Sequence, residues 1–184
     1  GDYVVPDTVT KIDSAAFGYC VGLTAITLPE GLIEISQAAF GNCYGLTSLT
    51  IPSTVTVIGE SAFYECTGLS SVEIPVGVSQ ISPSSFYGCS GLTSVTIPET
   101  VTEICEEAFL SCDNLTFVYY TGSQEQWKAI TIAEDNDCLT EATVYFGVNT
   151  ECDHQYTSVS IDATCGSDGS ITYTCTACGR SYSE

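Results

Sequence analysis

Residues 46–68 read LTSLTIPSTVTVIGESAFYECTG, and every chemically distinctive position in that stretch returns at a spacing of 23 residues. Leu23, Leu46, Leu69, Leu92 and Leu115 make one column, and Cys20, Cys43, Cys66, Cys89 and Cys112 a second. Phe17, Phe40, Phe63, Phe86 and Phe109 follow in phase, as do Pro6, Pro29, Pro52, Pro75 and Pro98 and the isoleucines at 12, 35, 58, 81 and 104. A unit this short cannot bury its apolar face alone, so the units must stack, each completing its neighbour. The period therefore predicts a solenoid over about four-fifths of the chain.

Within one coil, Leu46-Thr-Ser-Leu49-Thr-Ile51 alternates as a short strand does, with Leu49 and Ile51 inward and Ser48 and Thr50 outward. Pro52 has no N–H to give to a ladder and ends the strand. Val55 and Ile58 mark a second buried stretch beyond a bend. Ala62-Phe63 with Cys66 predicts a compact turn or short helical piece filling the interior, and Thr67-Gly68 returns the chain to the next strand. Repetition stacks the strands in parallel at ~4.8 Å per coil, forming a continuous sheet along one side. Ser85 stands where other coils have alanine, and a loop-facing hydroxyl would be tolerated there. The repeated cysteines read as buried thiols acting as small hydrophobes. Five in one column cannot all pair, and ladder stacking does not give the disulfide dihedral. Cys105 and Cys138 lie outside the column, and their pairing is left open.

Lys11, Lys128 and Arg180 are the basic residues of a 184-residue chain with 23 acidic ones, a net charge of −20. That balance opposes nucleic acid and anionic lipid as partners. No run approaches the ~18 apolar residues of a membrane-spanning helix, so membrane insertion is not expected. No basic-then-apolar leader opens the sequence, and Gly1 enters part-way through a repeat, as in a segment of a longer protein.

The pattern L-x-x-[VIL]-x-[IL]-P-x-x-[VL]-x-x-I-x-x-x-A-F-x-x-C resembles the BspA-type leucine-rich repeat of bacterial and protozoal surface proteins. The repeat covers residues 1 to about 121. Tyr119-Tyr-Thr-Gly122 followed by Glu125-Gln-Trp-Lys-Ala-Ile130 is similar to the segment that closes such arrays, so the expected domain is 1–148 with its cap at about 119–148. The resemblance implies an extracellular, cell-surface binding or adhesion role with a concave sheet, and no defined ligand. The last coil of a stack exposes an apolar face, which Trp127, on a short amphipathic helix with Ile130, is expected to cover. Thr143–Phe146 reads as a final strand beside the last repeat. Glu134-Asp-Asn-Asp137 is an acidic loop, either solvated or attractive to calcium, although it lacks the ligand spacing of an EF-hand.

Past Asn149 the repeat stops, and residues 152–184 gather the one histidine and four of the eleven cysteines. Cys175-Thr-Ala-Cys178-Gly179 is a knuckle that lets two thiolates reach one ion, and His154 and Cys165 can complete a tetrahedral zinc site, with Cys152 as an alternative ligand. This tail resembles zinc-ribbon-like modules near the ends of clostridial surface proteins, which implies a structural zinc. A disulfide-stapled small domain is the alternative, because so short a segment needs staples or metal.

Enzymatic chemistry fails on inventory. A single histidine, claimed by the cysteine cluster, leaves no Ser-His-Asp or Cys-His centre, and there is no phosphate-binding glycine loop. Glu103, Glu106 and Glu107 could serve glycoside hydrolysis only as paired carboxylates, and they read better as a solvated edge. A glycan-acting enzyme component is therefore the least favoured function. Binding is the better reading. The outward columns Ala25, Ser48, Ser71, Ser94, Phe117 and Thr27, Thr50, Glu73, Thr96, Tyr119 form a hydroxyl-rich surface ending in aromatics. Thr50, Glu73, Thr96, Phe117 and Tyr119 are the candidate contacts for a host or microbial protein or glycan, since aromatics on a polar sheet act as anchors. Two readings compete with this. One assigns the aromatics to the cap beneath Trp127, and the other makes the whole stack a spacer within a larger surface protein. The oligomeric state is not specified by the sequence.

Overall fold

Each repeat places two short strands on two sides of a coil. In the computed structural model the first set is β1 (Asp2–Val4), β3 (Ala25–Thr27), β5 (Ser48–Leu49), β7 (Ser71–Glu73), β9 (Ser94–Ile97), β11 (Phe117–Tyr120) and β13 (Thr143–Phe146). The second set is β2 (Lys11–Ile12), β4 (Glu34–Ile35), β6 (Val57–Ile58), β8 (Gln80–Ile81), β10 (Glu103–Ile104) and β12 (Thr131–Ile132). Pairing within both sets is parallel, and up to β11 the register follows the 23-residue period: Ala25 opposite Ser48, Ser71 opposite Ser94, Ser94 opposite Phe117. The fold is a β-solenoid. Residues 1–148 are described in full; beyond them the described residues are the strands at 156–161, 170–175 and 181–183, as backbone.

The third side of the coil, where the Ala-Phe-x-x-Cys motif lies, is neither helix nor strand. Its backbone alternates between donating within the coil and donating to the next one. Phe17 N–H bonds Ala39 C=O, Phe40 bonds Ala62, Phe63 bonds Ser85 and Phe86 bonds Ala108, all at 2.8–2.9 Å. Two residues per coil reach this geometry only in the left-handed region. They are Ala15, Ala38, Ser61, Ser84 and Glu107, with Tyr19, Asn42, Glu65, Gly88 and Ser111 four residues on. Glycine holds one of the ten, so the side chains at the others accept a conformation that costs on the order of 1 kcal/mol or more each. The inter-coil bonds they permit offset it.

Inside, the phenylalanines stack with centroids 5.2–5.4 Å apart from Phe17 to Phe109. Leu46, Leu69, Leu92, Ile35, Ile97 and Ile104 are fully buried beside them, each contributing roughly 1.5–3 kcal/mol by leaving water. The cysteines do more than fill space. The Sγ–H groups of Cys43, Cys66, Cys89 and Cys112 donate to the carbonyls of Phe17, Phe40, Phe63 and Phe86 in the preceding coil, at 3.1–3.2 Å. Coils also approach too closely at their corners for a side chain: a Cβ on Gly68 would lie 2.6 Å from the Tyr44 carbonyl oxygen. Ser85 departs from expectation. Its hydroxyl does not face a loop but is sealed in the alanine column with no hydrogen-bond partner.

The closing segment is a degenerate coil. Helix α1 (Gln124–Lys128) starts at a capping box, Ser123 Oγ accepting from Gln126 N–H and Gln126 Oε1 accepting from Ser123 N–H. Trp127 rides on it, and Ile130 is buried just beyond its end. The segment then continues both sheets through β12 and β13. Helix α2 (Asp137–Glu141) follows the acidic run, in a stretch to which the sequence reading assigned no helix. Asn136 before it is buried, its Nδ2 donating to the carbonyls of Cys105, Ala133 and Glu134 and its Oδ1 accepting from Phe109 N–H. That amide is consumed within the fold, and among the described residues no three carboxylate, histidine or cysteine side chains gather as an ion would require.

A second unit, Gly147–Glu184, contains β14 (Tyr156–Ile161), β15 (Ser170–Cys175) and β16 (Ser181–Ser183) in an antiparallel sheet of that order. Thr172 pairs with both Val159 and Ser183.

Candidate functional site

Register fixes what the outward face of the first sheet presents. One row runs Asp2, Ala25, Ser48, then Ser71, Ser94, Phe117, Thr143; the other runs Val4, Thr27, then Glu73, Thr96, Tyr119, Tyr145, with Thr50 at the equivalent position after β5. These rows carry only two of the chain's 23 acidic side chains, Asp2 at one end and Glu73 in the middle. The face is nearly neutral on a highly acidic protein.

The sheets do not run unbroken. β1-β3-β5 and β7-β9-β11-β13 are separate ladders, and β2-β4-β6 and β8-β10-β12 part at the same level. Thr47 N–H bonds Thr24 C=O, Thr93 bonds Ser70 and Thr116 bonds Thr93, yet no such bond runs from Ser70 to Thr47 among the described residues. The hydroxyls of Ser70 and Ser82 reach instead to the Thr47 and Ile58 carbonyls, at 3.5 and 2.5 Å. On the third side the stack stays closed: Phe63 lies 5.3 Å from Phe86, Tyr64 lies 4.8 Å from Tyr87, and Cys89 bonds the Phe63 carbonyl. The seam thus opens on the two sheet sides only.

A depression of about 460 Å³ lies at this seam, on the outward face. Thr50, Glu73 and Thr96, three of the residues singled out from sequence, line it together with Ser71, Ser94 and Tyr119. Glu73 and Thr50 are exposed and Ser94 and Thr96 half-buried, so the wall is hydroxyl-rich with one carboxylate. Leu49 and Val72 supply its apolar part.

At the C-terminal end of the groove Tyr119 joins an aromatic cluster. Its ring lies 6.4 Å from Phe117 and 5.6 Å from Tyr145, near-parallel to both at 21° and 22°, and Phe117 lies 6.1 Å from Tyr145. Phe117 remains 37% exposed, and Trp127 does not cover it. Trp127 packs edge-on against Tyr120, 5.2 Å away, on the inward side of the same strand. Trp127 and the aromatic face thus lie on opposite sides of β11. Tyr145 escaped the sequence reading because the closing coil is longer: Thr143 pairs with Phe117 at a spacing of 26 residues, out of step with the period.

The remaining candidates fall elsewhere. Glu103 accepts from Gln80 Nε2 at 2.7 Å and Glu107 from Ser84 Oγ at 3.1 Å, both across to the preceding coil on other sides of the solenoid. All seven described cysteines are free. Burial pushes the Cys66 and Cys112 thiols up to about 12 and Cys43 to about 11, so the column is poorly reactive. Cys138 comes beside Cys112, both lining a surface pocket of about 390 Å³, while Cys105 sits near Glu103 and Gln80. Of the zinc candidates, Cys175 ends β15 opposite Tyr156; His154, Cys165, Cys178 and Cys152 lie outside the described residues.

Parallel 23-residue coils with a buried leucine, phenylalanine and cysteine column define a leucine-rich repeat protein. More narrowly, the chain belongs to the BspA type leucine rich repeat family, which matches residues 2–121 in six copies. Among solved structures it is similar to a leucine-rich cell surface protein from Faecalibacterium prausnitzii, at 37% identity and a TM-score of 0.69. That match covers 71% of this chain and 34% of the other, so the chain spans about a third of that protein. It is also similar to the Treponema pallidum leucine-rich repeat protein (24% identity, TM-score 0.59, 72% of each chain) and to the pneumococcal vaccine antigen PcpA (20%, 0.57, 80% of this chain and 40% of the other). No curated protein matches the chain.

Proposed function

We propose that this chain is a non-enzymatic extracellular binding module that presents the outward face of its first sheet to a protein or glycan partner. One observation carries the reading. A groove walled by Thr50, Glu73 and Thr96 runs into a partly exposed cluster of Phe117, Tyr119 and Tyr145, on a face otherwise composed of small hydroxyl residues. A plain spacer has no use for a partly exposed aromatic cluster on its face, and rigid aromatics bordered by polar groups are typical interface anchors. The cell-surface relative from Faecalibacterium supports an extracellular setting. Among the described residues no helix is long and apolar enough to cross a membrane.

The test is retention on immobilised mucins, matrix proteins and glycans. The double variant Phe117→Ser, Tyr119→Ser is expected to lose retention while its circular dichroism stays that of the parent. Failure of the parent to bind anything, with the fold intact, returns the chain to the spacer reading.

A further inference from the structure

We infer that the groove and its aromatic cluster bind a neutral glycan, whose sugar rings pack against the Tyr119 and Tyr145 pair while their hydroxyls bond along the serine and threonine rows. The inference rests on the binding reading above and narrows it to one ligand class. Charge is the first argument. With a net charge of −20 the molecule attracts cations in general, yet the face that holds the groove carries only Glu73 and, at its far end, Asp2. A basic peptide would be drawn to the other sides of the solenoid, and an anionic glycan would be repelled by all of them. A neutral ligand is the one for which this distribution is complementary.

Shape and chemistry are the second argument. A peptide adds to a sheet by pairing with the backbone of an open edge. At the seam the facing strands β5 and β7 stay within 8 Å of each other, too close to admit a third strand between them, so what the groove chiefly offers a ligand is the hydroxyls along its walls. Thr50, Ser71, Ser94 and Thr96 each both donate and accept, which matches a ligand whose own groups are hydroxyls. Glu73 adds an acceptor that needs no cation. The rings of Tyr119 and Tyr145, on neighbouring strands, stack on each other with centroids 5.6 Å apart, and this rigid aromatic pair gives the end of the groove an apolar wall against which a sugar ring packs. Because Tyr119 lines the groove and belongs to the aromatic cluster, the two form one continuous site.

The experiment uses the whole chain in affinity electrophoresis through gels containing a soluble β-glucan, α-mannan, galactan or xylan. Retardation by at least one of them is expected, undiminished when salt rises from about 0.1 M to about 1 M and screening shortens from about 10 Å to about 3 Å. Tyr119→Ser and Tyr145→Ser should each weaken it about tenfold or more. Tyr64→Ser, on the third side, should leave it unchanged. Absence of retardation by all four polysaccharides overturns the glycan assignment, as does retardation that Tyr119→Ser does not alter. Salt-sensitive capture of a lysine-rich peptide in place of a glycan also overturns it. If matrix proteins are still captured through Phe117 and Tyr119 in that case, the binding-module reading stands and only the ligand class falls; if nothing is captured, both fall.

Discussion

Ser85 shows how finely a repeat position is tuned. Four coils place alanine there, and the fifth seals a hydroxyl where neither water nor a protein acceptor reaches it. Leaving a buried polar group unpaired costs about 1–3 kcal/mol. Ser85→Ala is therefore expected to stabilise the solenoid by about 1 kcal/mol, a rise of about 2–4 °C in Tm for a chain of this size. A thermal melt that moves downward would mean the hydroxyl has a partner. The thiol column gives a second expectation at this scale. Burial raises the folded pKa of Cys43, Cys66, Cys89 and Cys112 above the ordinary thiol range. The unfolded chain therefore releases thiol protons first as pH rises. Stability from each thiol is complete below the unfolded pKa of about 8.5 and declines above it by about 1.4 kcal/mol per pH unit until the folded pKa is reached. Denaturant melts at pH 7 and pH 10 should show the deficit of Cys66→Ala relative to the parent narrowing at the higher pH. A constant gap would mean the thiol is not as buried as the column places it.

At the scale of the element, the sides of the coil differ in how plainly the sequence announces them. The two strand sides were legible, because period-two alternation and prolines mark β1 to β11 in each repeat. Leu69 is fully buried and Thr50 exposed, as that alternation requires. Leu69→Ala should cost about 2–5 kcal/mol by opening a cavity between coils, while Thr50→Ala should change a urea melt little. Comparable losses would contradict the inward and outward assignment. The third side was not legible. Its ladder depends on left-handed residues such as Ala38, Ser61 and Glu65, and without glycine at those positions nothing local signals the conformation. The seam was hidden for the opposite reason: residues 69–81 fit the period as well as any other coil, and the groove arises from backbone bonds not made. Of the site, the hydroxyl rows and Phe117 with Tyr119 could be read from strand alternation. Tyr145 could not, because its coil has a different length.

At the scale of the whole chain, the two units draw stability from different sources. The coils bury continuous apolar columns and depend only on their neighbours. Residues 152–184 are too few to sustain a core, and the backbone of β14, β15 and β16 supplies a small antiparallel sheet whose stability needs another source. In the sequence Cys178 follows Cys175, the last residue of β15, by three positions, the Cys-x-x-Cys spacing of a zinc knuckle. We propose one structural zinc held by His154, Cys165, Cys175 and Cys178, with Cys152 as an alternative ligand, its binding energy serving as folding energy for this unit. Elemental analysis of protein purified under reducing conditions should give about one zinc per chain, and His154→Ala should lower the occupancy. A chelator should then broaden the amide signals of Tyr156–Ile161 and Ser170–Cys175 in an NMR spectrum while those of the coils stay in place. Two disulfides among these cysteines and no metal, read by mass spectrometry of untreated protein, would assign the tail to the stapled class instead.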